Sequence, residues 1–222
     1  MATSFAKRLL VLIVSGVLMS ATGAEAHPHV WVTVKTTVLF KGGAIVGLQQ
    51  HWTFDEFYAA MAIEGLDKNN DGVYDRQELA PLAQVNMDGM KEFKYFTFAK
   101  LGDAAVELSP PTDYWLEYTN KLLTLYFTLP LAKPVPATAK GFAFSTYDAS
   151  FFIAFELAEK APIALQGDVP KGCEVTIAKY DGDSERLSDA FKRQFGDANY
   201  GGTLGQPVRV ECSAHYKALL DG

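Results

Sequence analysis

Cysteine is scarce in this chain. Its 222 residues hold two, Cys173 and Cys212, with no Cys-x-x-Cys spacing between them. In an oxidising compartment, two cysteines in strand-like surroundings are expected to form one disulfide. Closing a loop of about 40 residues stabilises a fold by roughly 3–4 kcal/mol in the chain-entropy description. A thiolate metal site is the alternative use of the pair. Histidine is nearly as scarce, at four. The chain contains no Gly-x-Ser-x-Gly elbow, no His-Glu-x-x-His helix and no phosphate-cradling glycine loop. Its acids are numerous but scattered, so no paired glycosidase carboxylates can be read from them. A non-catalytic role is expected. Positive charge is short as well, with 20 Lys and Arg against 26 Asp and Glu. A nucleic-acid partner would want a basic stripe, and none is expected here. Long apolar runs are missing too: Leu9 to Met19 falls short of the roughly 20 residues that span a bilayer, and nothing later approaches it.

What is present begins with a leader. Lys7 and Arg8 form a basic start, Leu9 to Met19 an apolar middle, and Ala24-Glu25-Ala26 supplies small residues where a signal peptidase reads them. Residues 1–26 are therefore expected to be a signal peptide, and 27–222 a single exported domain with no membrane span. The rivals are an uncleaved membrane anchor and cleavage after Ala24, which would leave Glu25 first.

Cleavage after Ala26 makes His27 the first residue of His27-Pro28-His29-Val30-Trp31-Val32. An N-terminal histidine offers a metal its α-amine and its ring nitrogen together, and His29 adds another imidazole, a common ligand of zinc, copper and nickel. The α-amine has a reference pKa near 7.7–8.0, so a metal can displace its proton close to neutral pH. Pro28 carries no amide proton, which removes the chelate that uses two deprotonated backbone amides. What remains is a brace-like grip by the amine and ring of His27, joined by His29. Two histidines that merely lead into a strand are the plain alternative.

Residues 29–40 alternate, with Val30, Val32, Val34, Val38 and Phe40 on one face and Thr33, Lys35 and Thr37 on the other. Gly42-Gly43 marks a turn, and Ile45 to Trp52 runs back. Pairing Lys41 with Ile45 across a three-residue loop keeps the faces separate, whereas a two-residue loop mixes them. That register sets His51 opposite Lys35, about 20 Å along the strand from His29, too far to share a metal. Thr53 and Glu56 have capping-box spacing, and Trp52 with Phe57 suits the accompanying hydrophobic staple. Asp55 and Glu56 fall near His29, either as ligands or as a dipole-matched helix start.

The helix leads into Asp67-Lys68-Asn69-Asn70-Asp71-Gly72-Val73-Tyr74-Asp75-Arg76-Gln77-Glu78. Oxygen side chains stand at positions one (Asp67), three (Asn69), five (Asp71), nine (Asp75) and twelve (Glu78). Gly72 holds the sharp-turn position six, and Val73 offers its carbonyl at seven, so the stretch fits an EF-hand calcium loop. A loop that copies only the turn is the alternative. Pro81 falls early in the following helix, where amides lack partners anyway. The helix-loop-helix, 54–92, looks inserted into a β-fold made of 27–53 and 93–222.

Further strands are expected at Phe96–Lys100, Asp113–Tyr118, Leu122–Thr128, Phe142–Tyr147, Phe151–Leu157 and Val208–Cys212, with a proline-rich break at 129–136. A short helix is expected from Ser184 to Phe195. Asp148 falls in a turn, and His215 near a tail. The spacing predicts a mainly β chain, an Ig-like antiparallel β-sandwich carrying the EF-hand-like insertion.

HPHVWV after a leader, HWTFDEF, DKNNDGVYDRQEL, KEFKYFTF, STYDASFFIAF and a late GC…VEC pair follow one another in this order. Together the motifs make the chain similar to the exported family called domain of unknown function 1007, across the whole mature length. That resemblance implies a periplasmic accessory of a nickel/cobalt (NicO-type) membrane permease, binding or handing over a divalent transition metal (nickel, cobalt, zinc or copper). It carries over to His27 and His29 for that metal and to Asp67–Glu78 for calcium. The competing readings are a calcium-stabilised adhesion or scaffold module, and a copper enzyme built on an N-terminal histidine brace.

Overall fold

The computed structural model describes residues 29–150, 152–178 and 205–213. His27, His215 and the expected helix from Ser184 to Phe195 lie outside them. The described chain is mainly β, in two sheets. The elements are β1 (Val30–Lys41), β2 (Ala44–Phe54), α1 (Glu56–Ala62), α2 (Arg76–Met90), β3 (Thr97–Leu101), β4 (Ala104–Val106), β5 (Thr112–Thr119), β6 (Leu122–Pro136), β7 (Phe142–Thr146), β8 (Ile153–Leu157), β9 (Ile163–Gly167), β10 (Cys173–Ile177) and β11 (Val208–Cys212). Sheet A runs β5-β6-β2-β1-β8 with β9 also on β1, and sheet B runs β10-β11-β7-β3-β4.

The alternation of β1 translates directly into burial. Val30, Val32, Val34, Val38 and Phe40 are buried, while Trp31, Thr33 and Lys35 face solvent. Val34 pairs with Trp52, Lys35 with His51 and Val38 with Leu48, as the face argument requires. The loop differs from expectation. Gly42 and Gly43, both at positive φ (57° and 75°), make a two-residue turn with Lys41 opposite Ala44. The register then shifts between Leu39 and Phe40, where Val46 is the extra residue. A bulge of one residue undoes the mixing of faces that a two-residue turn would otherwise cause.

The long strands of sheet A outreach sheet B, and two kinds of cover share its inner face. At one end Val38, Phe40, Ile45 and Leu48 pack against Phe142, Phe144, Val208 and Val210 of sheet B. At the other, Val30, Val32, Trp52, Leu125 and Phe155 pack against Ala59 of α1, Ile63 at its C-cap, and Leu79, Ala83 and Met87 of α2. The helical segment between β2 and β3 thus closes the half of the core that sheet B leaves open. Between α2 and β3 the chain turns through Lys94, Tyr95 and Phe96, all at positive φ, which drives Phe96 in against Trp52 and Phe155.

Three further expectations are corrected. The sheets are not wholly antiparallel, because β8 and β9 both pair with β1 in parallel. The proline-rich stretch does not break the chain, since β6 continues to Pro136. Beyond Thr128, where β5 stops pairing, the segment around Leu108 bridges to Leu131, and its bonds use the Pro130 carbonyl and the Ala132 amide, so no proline is asked for an amide it lacks. Pro81 is the sixth residue of α2, beyond the first-turn amides that have no intrahelical acceptor. Strands β4, β9 and β10 lie outside the expected set; each has five residues or fewer. Cys173 and Cys212 face each other across β10 and β11 and form the disulfide.

Candidate functional site

His29 stands immediately before β1, exposed to solvent. Its amide donates to the Phe152 carbonyl at 2.9 Å, and its ring lies 4.9 Å from that of Phe152. Strand pairing of β1 with β8 sets this contact, because Val30 pairs with Ile153 one residue further on.

Asp55 does come close to this strand, but its carboxylate is occupied. Oδ1 accepts the Tyr58 amide at 2.9 Å and so caps α1, while Oδ2 accepts the Trp31 amide at 3.0 Å. The Asp55 amide in turn donates to the Trp31 carbonyl. Thr53 therefore does not cap the helix. It stays in β2, where its hydroxyl meets that of Thr124. The expected staple fails too, since Phe57 is 78% exposed, and Phe54 stacks on Tyr58 instead. Glu56 lies in the first turn of α1, suited to the positive end of the helix dipole.

The acidic loop has an ordered hydrogen-bond frame. Gly72 sits at φ 78°, and its amide donates to Asp67 Oδ2 at 3.0 Å. Asp71 receives the Val73 amide at 2.7 Å, and Asn69 Oδ1 receives the Asp71 amide at 2.9 Å. Asp75 is the N-cap of α2, and Glu78 completes the capping box with it. Glu78 also reaches across the loop to accept the Lys68 amide at 2.8 Å. Side chains from positions one and twelve thus brace the two ends of one loop. The donor set is all oxygen, the chemistry of a hard cation such as calcium. The side-chain oxygens are turned to the loop's own amides, and among the described residues no three His, Cys, Asp or Glu side chains converge as ligands.

Among the described residues His29 forms no ligating cluster with the acidic loop. His51 joins neither, as it stands opposite Lys35 on the outer face of sheet A. Burial first, and then the Lys35 charge, hold its pKa below the ordinary value, with Glu117 pulling the other way. Asp148 is a turn organiser, its carboxylate accepting the Ser150 amide and hydroxyl and the Ile153 amide. A cleft of about 240 Å³ opens between the sheets, lined by Val34, Phe144, Thr146, Phe155, Val208 and a single carboxylate, Glu156.

One cluster escaped the sequence reading. On the outer face of sheet A, Lys35, His51, Tyr126 and Trp115 form a row across β1, β2, β6 and β5. His51 packs on Tyr126 at 4.7 Å, and Tyr126 stacks on Trp115 at 4.8 Å. Arg76, from the acidic loop, lies over Trp115 at 4.4 Å. Burial and then Glu117 raise the pKa of Tyr126. The period-two spacing of Trp115 and Glu117 signals a shared face, but their neighbours depend on pairing.

Against known proteins, the family described as "Protein of unknown function (DUF1007)" matches residues 11–212. The chain belongs to the DUF1007 family. An uncharacterized protein of Haemophilus influenzae (strain ATCC 51907 / DSM 11121 / KW20 / Rd) is 24% identical over 200 residues, covering 88% of this chain and 95% of that one. An "Uncharacterized 15.5 kDa protein in trpE 3'region" of Spirochaeta aurantia is 30% identical over 100 residues, covering 45% of this chain and 71% of that one. The DUF1007 match spans both the histidine strand and the acidic loop, so neither feature is an appendage to the family sequence.

Proposed function

We propose that this DUF1007 chain is an exported, periplasmic metal-binding accessory of a divalent transition-metal transport system. His27 and His29 hold the metal, nickel, cobalt, zinc or copper. Asp67, Asn69, Asp71, Val73, Asp75 and Glu78 hold a structural calcium ion. The partner is a membrane permease that receives or delivers the metal, and the chain binds rather than catalyses. The two-sheet core is read as Ig-like and the segment between β2 and β3 as EF-hand-like.

The observation that carries this reading is the placement of His29. It stands exposed just before β1, and Asp55, which reaches the Trp31 amide two residues on, is already occupied by two backbone amides. A ligand set with no free carboxylate suits a metal that is taken up and released, and imidazole with amine nitrogen suits the later divalent transition metals. For the loop, the left-handed Gly72 and an all-oxygen donor set at the calcium-loop positions favour calcium. A bound ion would draw the carboxylates from the amides they now accept.

The test is calorimetry with nickel, zinc and copper on protein carrying its native N-terminus. Loss of binding in His29→Ala is expected, and unchanged binding removes His29 from the site. N-terminal sequencing that begins at Glu25 or Ala26 removes the amine. Thermal stability that neither rises with calcium nor falls in chelator reduces the loop to a turn.

A further inference from the structure

We infer that Arg76 sets how well the Asp67–Glu78 loop holds a cation, and that Trp115 and Glu117 tune that affinity by holding its guanidinium away from the loop. The inference rests on the calcium reading of the loop above. Arg76 lies one residue after Asp75 and two before Glu78. A guanidinium not held elsewhere stays within a long side chain's reach of the loop, where its charge opposes a divalent ion.

The structure seats it elsewhere. The guanidinium carbon is 4.4 Å from the centre of the Trp115 ring, and Nη2 is 3.5 Å from Glu117 Oε1. Trp115 Nε1 donates to that same oxygen at 2.9 Å, fixing the acceptor. Behind it, Trp115 stacks on Tyr126 with the planes only 6° apart, and Tyr126 packs on His51. The seat is therefore assembled from three neighbouring strands. Tyr74, two residues before Arg76, meets Tyr118 at 5.1 Å, so the second half of the loop is tied to β5 at two points. Cation binding and the seating of Arg76 then favour each other by the same factor, because coupling between two equilibria is reciprocal.

Calcium chloride titrations by calorimetry test this on wild type, Trp115→Ala, Arg76→Ala and the double variant, with folding checked by circular dichroism. Trp115→Ala changes no charge and lies outside the loop, yet it is expected to weaken calcium binding about two- to fivefold, the scale of an exposed cation–π contact. Arg76→Ala is expected to bind as tightly as wild type or more so, and the double variant to match Arg76→Ala. If Trp115→Ala fails to fold, Glu117→Gln with and without Arg76→Ala supplies the same cycle. Unchanged affinity in the folded single variant overturns the inference and leaves the calcium reading standing. So does a double variant as weak as the single. Absence of calcium binding in both wild type and Arg76→Ala overturns the two together.

Discussion

Asp55 ties the histidine strand to the first helix, and its replacement separates the structural role from the ligand role. In Asp55→Ala, α1 loses its N-cap and the Trp31 amide loses its acceptor. A lost N-cap costs about 1 kcal/mol. A hydrogen bond to a charged acceptor contributes about 1.5 kcal/mol at the weak end of its range, appropriate because the contact is partly solvated. The expected loss is about 2.5 kcal/mol, which lowers the melting temperature by roughly 5–10 °C in a chain of this size. Asp55→Asn keeps one acceptor but sets an amide donor against one of the two backbone donors, so an intermediate loss is expected. Scanning calorimetry with urea unfolding reads both, and nickel and zinc titrations on the same variants should match wild type. An Asp55→Ala protein as stable as wild type, or one that has lost its transition-metal affinity, refutes the assignment of this carboxylate to backbone amides.

Other outcomes follow from separate parts of the fold. His51 has its pKa lowered in the folded state, so the unfolded chain binds the proton more readily. Stability should therefore fall as pH drops through and below about 6.5, the unfolded histidine value. Urea unfolding from pH 8 to 5 should show a shallower slope in His51→Gln, and identical slopes would count against it. Replacing both Cys173 and Cys212 by Ala should remove roughly 3–4 kcal/mol, read by urea unfolding under oxidising conditions, with the gap to wild type closing in reductant. Buried Gln50 accepts from the Thr36 hydroxyl at 2.8 Å and the Trp52 indole at 3.3 Å, while its own Nε2 has no partner. Thr36→Val with Gln50→Leu should then cost about 1 kcal/mol less than the two single changes added together, since removing both partners leaves fewer orphaned groups. Strict additivity would contradict the pairing.

Much of this was legible from local pattern. The inner and outer faces of β1 and β2, the opposition of Lys35 and His51, and the strand Val208–Cys212 follow from alternation alone, because a strand with one buried face has a single acceptable register. The bulge at Val46 was not legible, because pattern specifies which side chains go inward and leaves open where the extra residue is absorbed. The cap of α1 was misplaced by two residues for a related reason. Thr53 can cap a helix, though less well than Asp55, but β2 extends to Phe54 and keeps Thr53 in its ladder.

Local chemistry in the sequence thus determined the mainly β character, the cysteine pair as a disulfide, the acidic loop and the alternation that presents His29. These depend on neighbours within a few residues or on there being only two cysteines. Tertiary structure alone decided that β8 and β9 join β1 in parallel, that helices close the half of the core left by sheet B, and that Arg76 leaves the acidic loop for Trp115. Each of those joins groups that are distant in sequence, and only the strand pairing of the whole sheet sets them side by side.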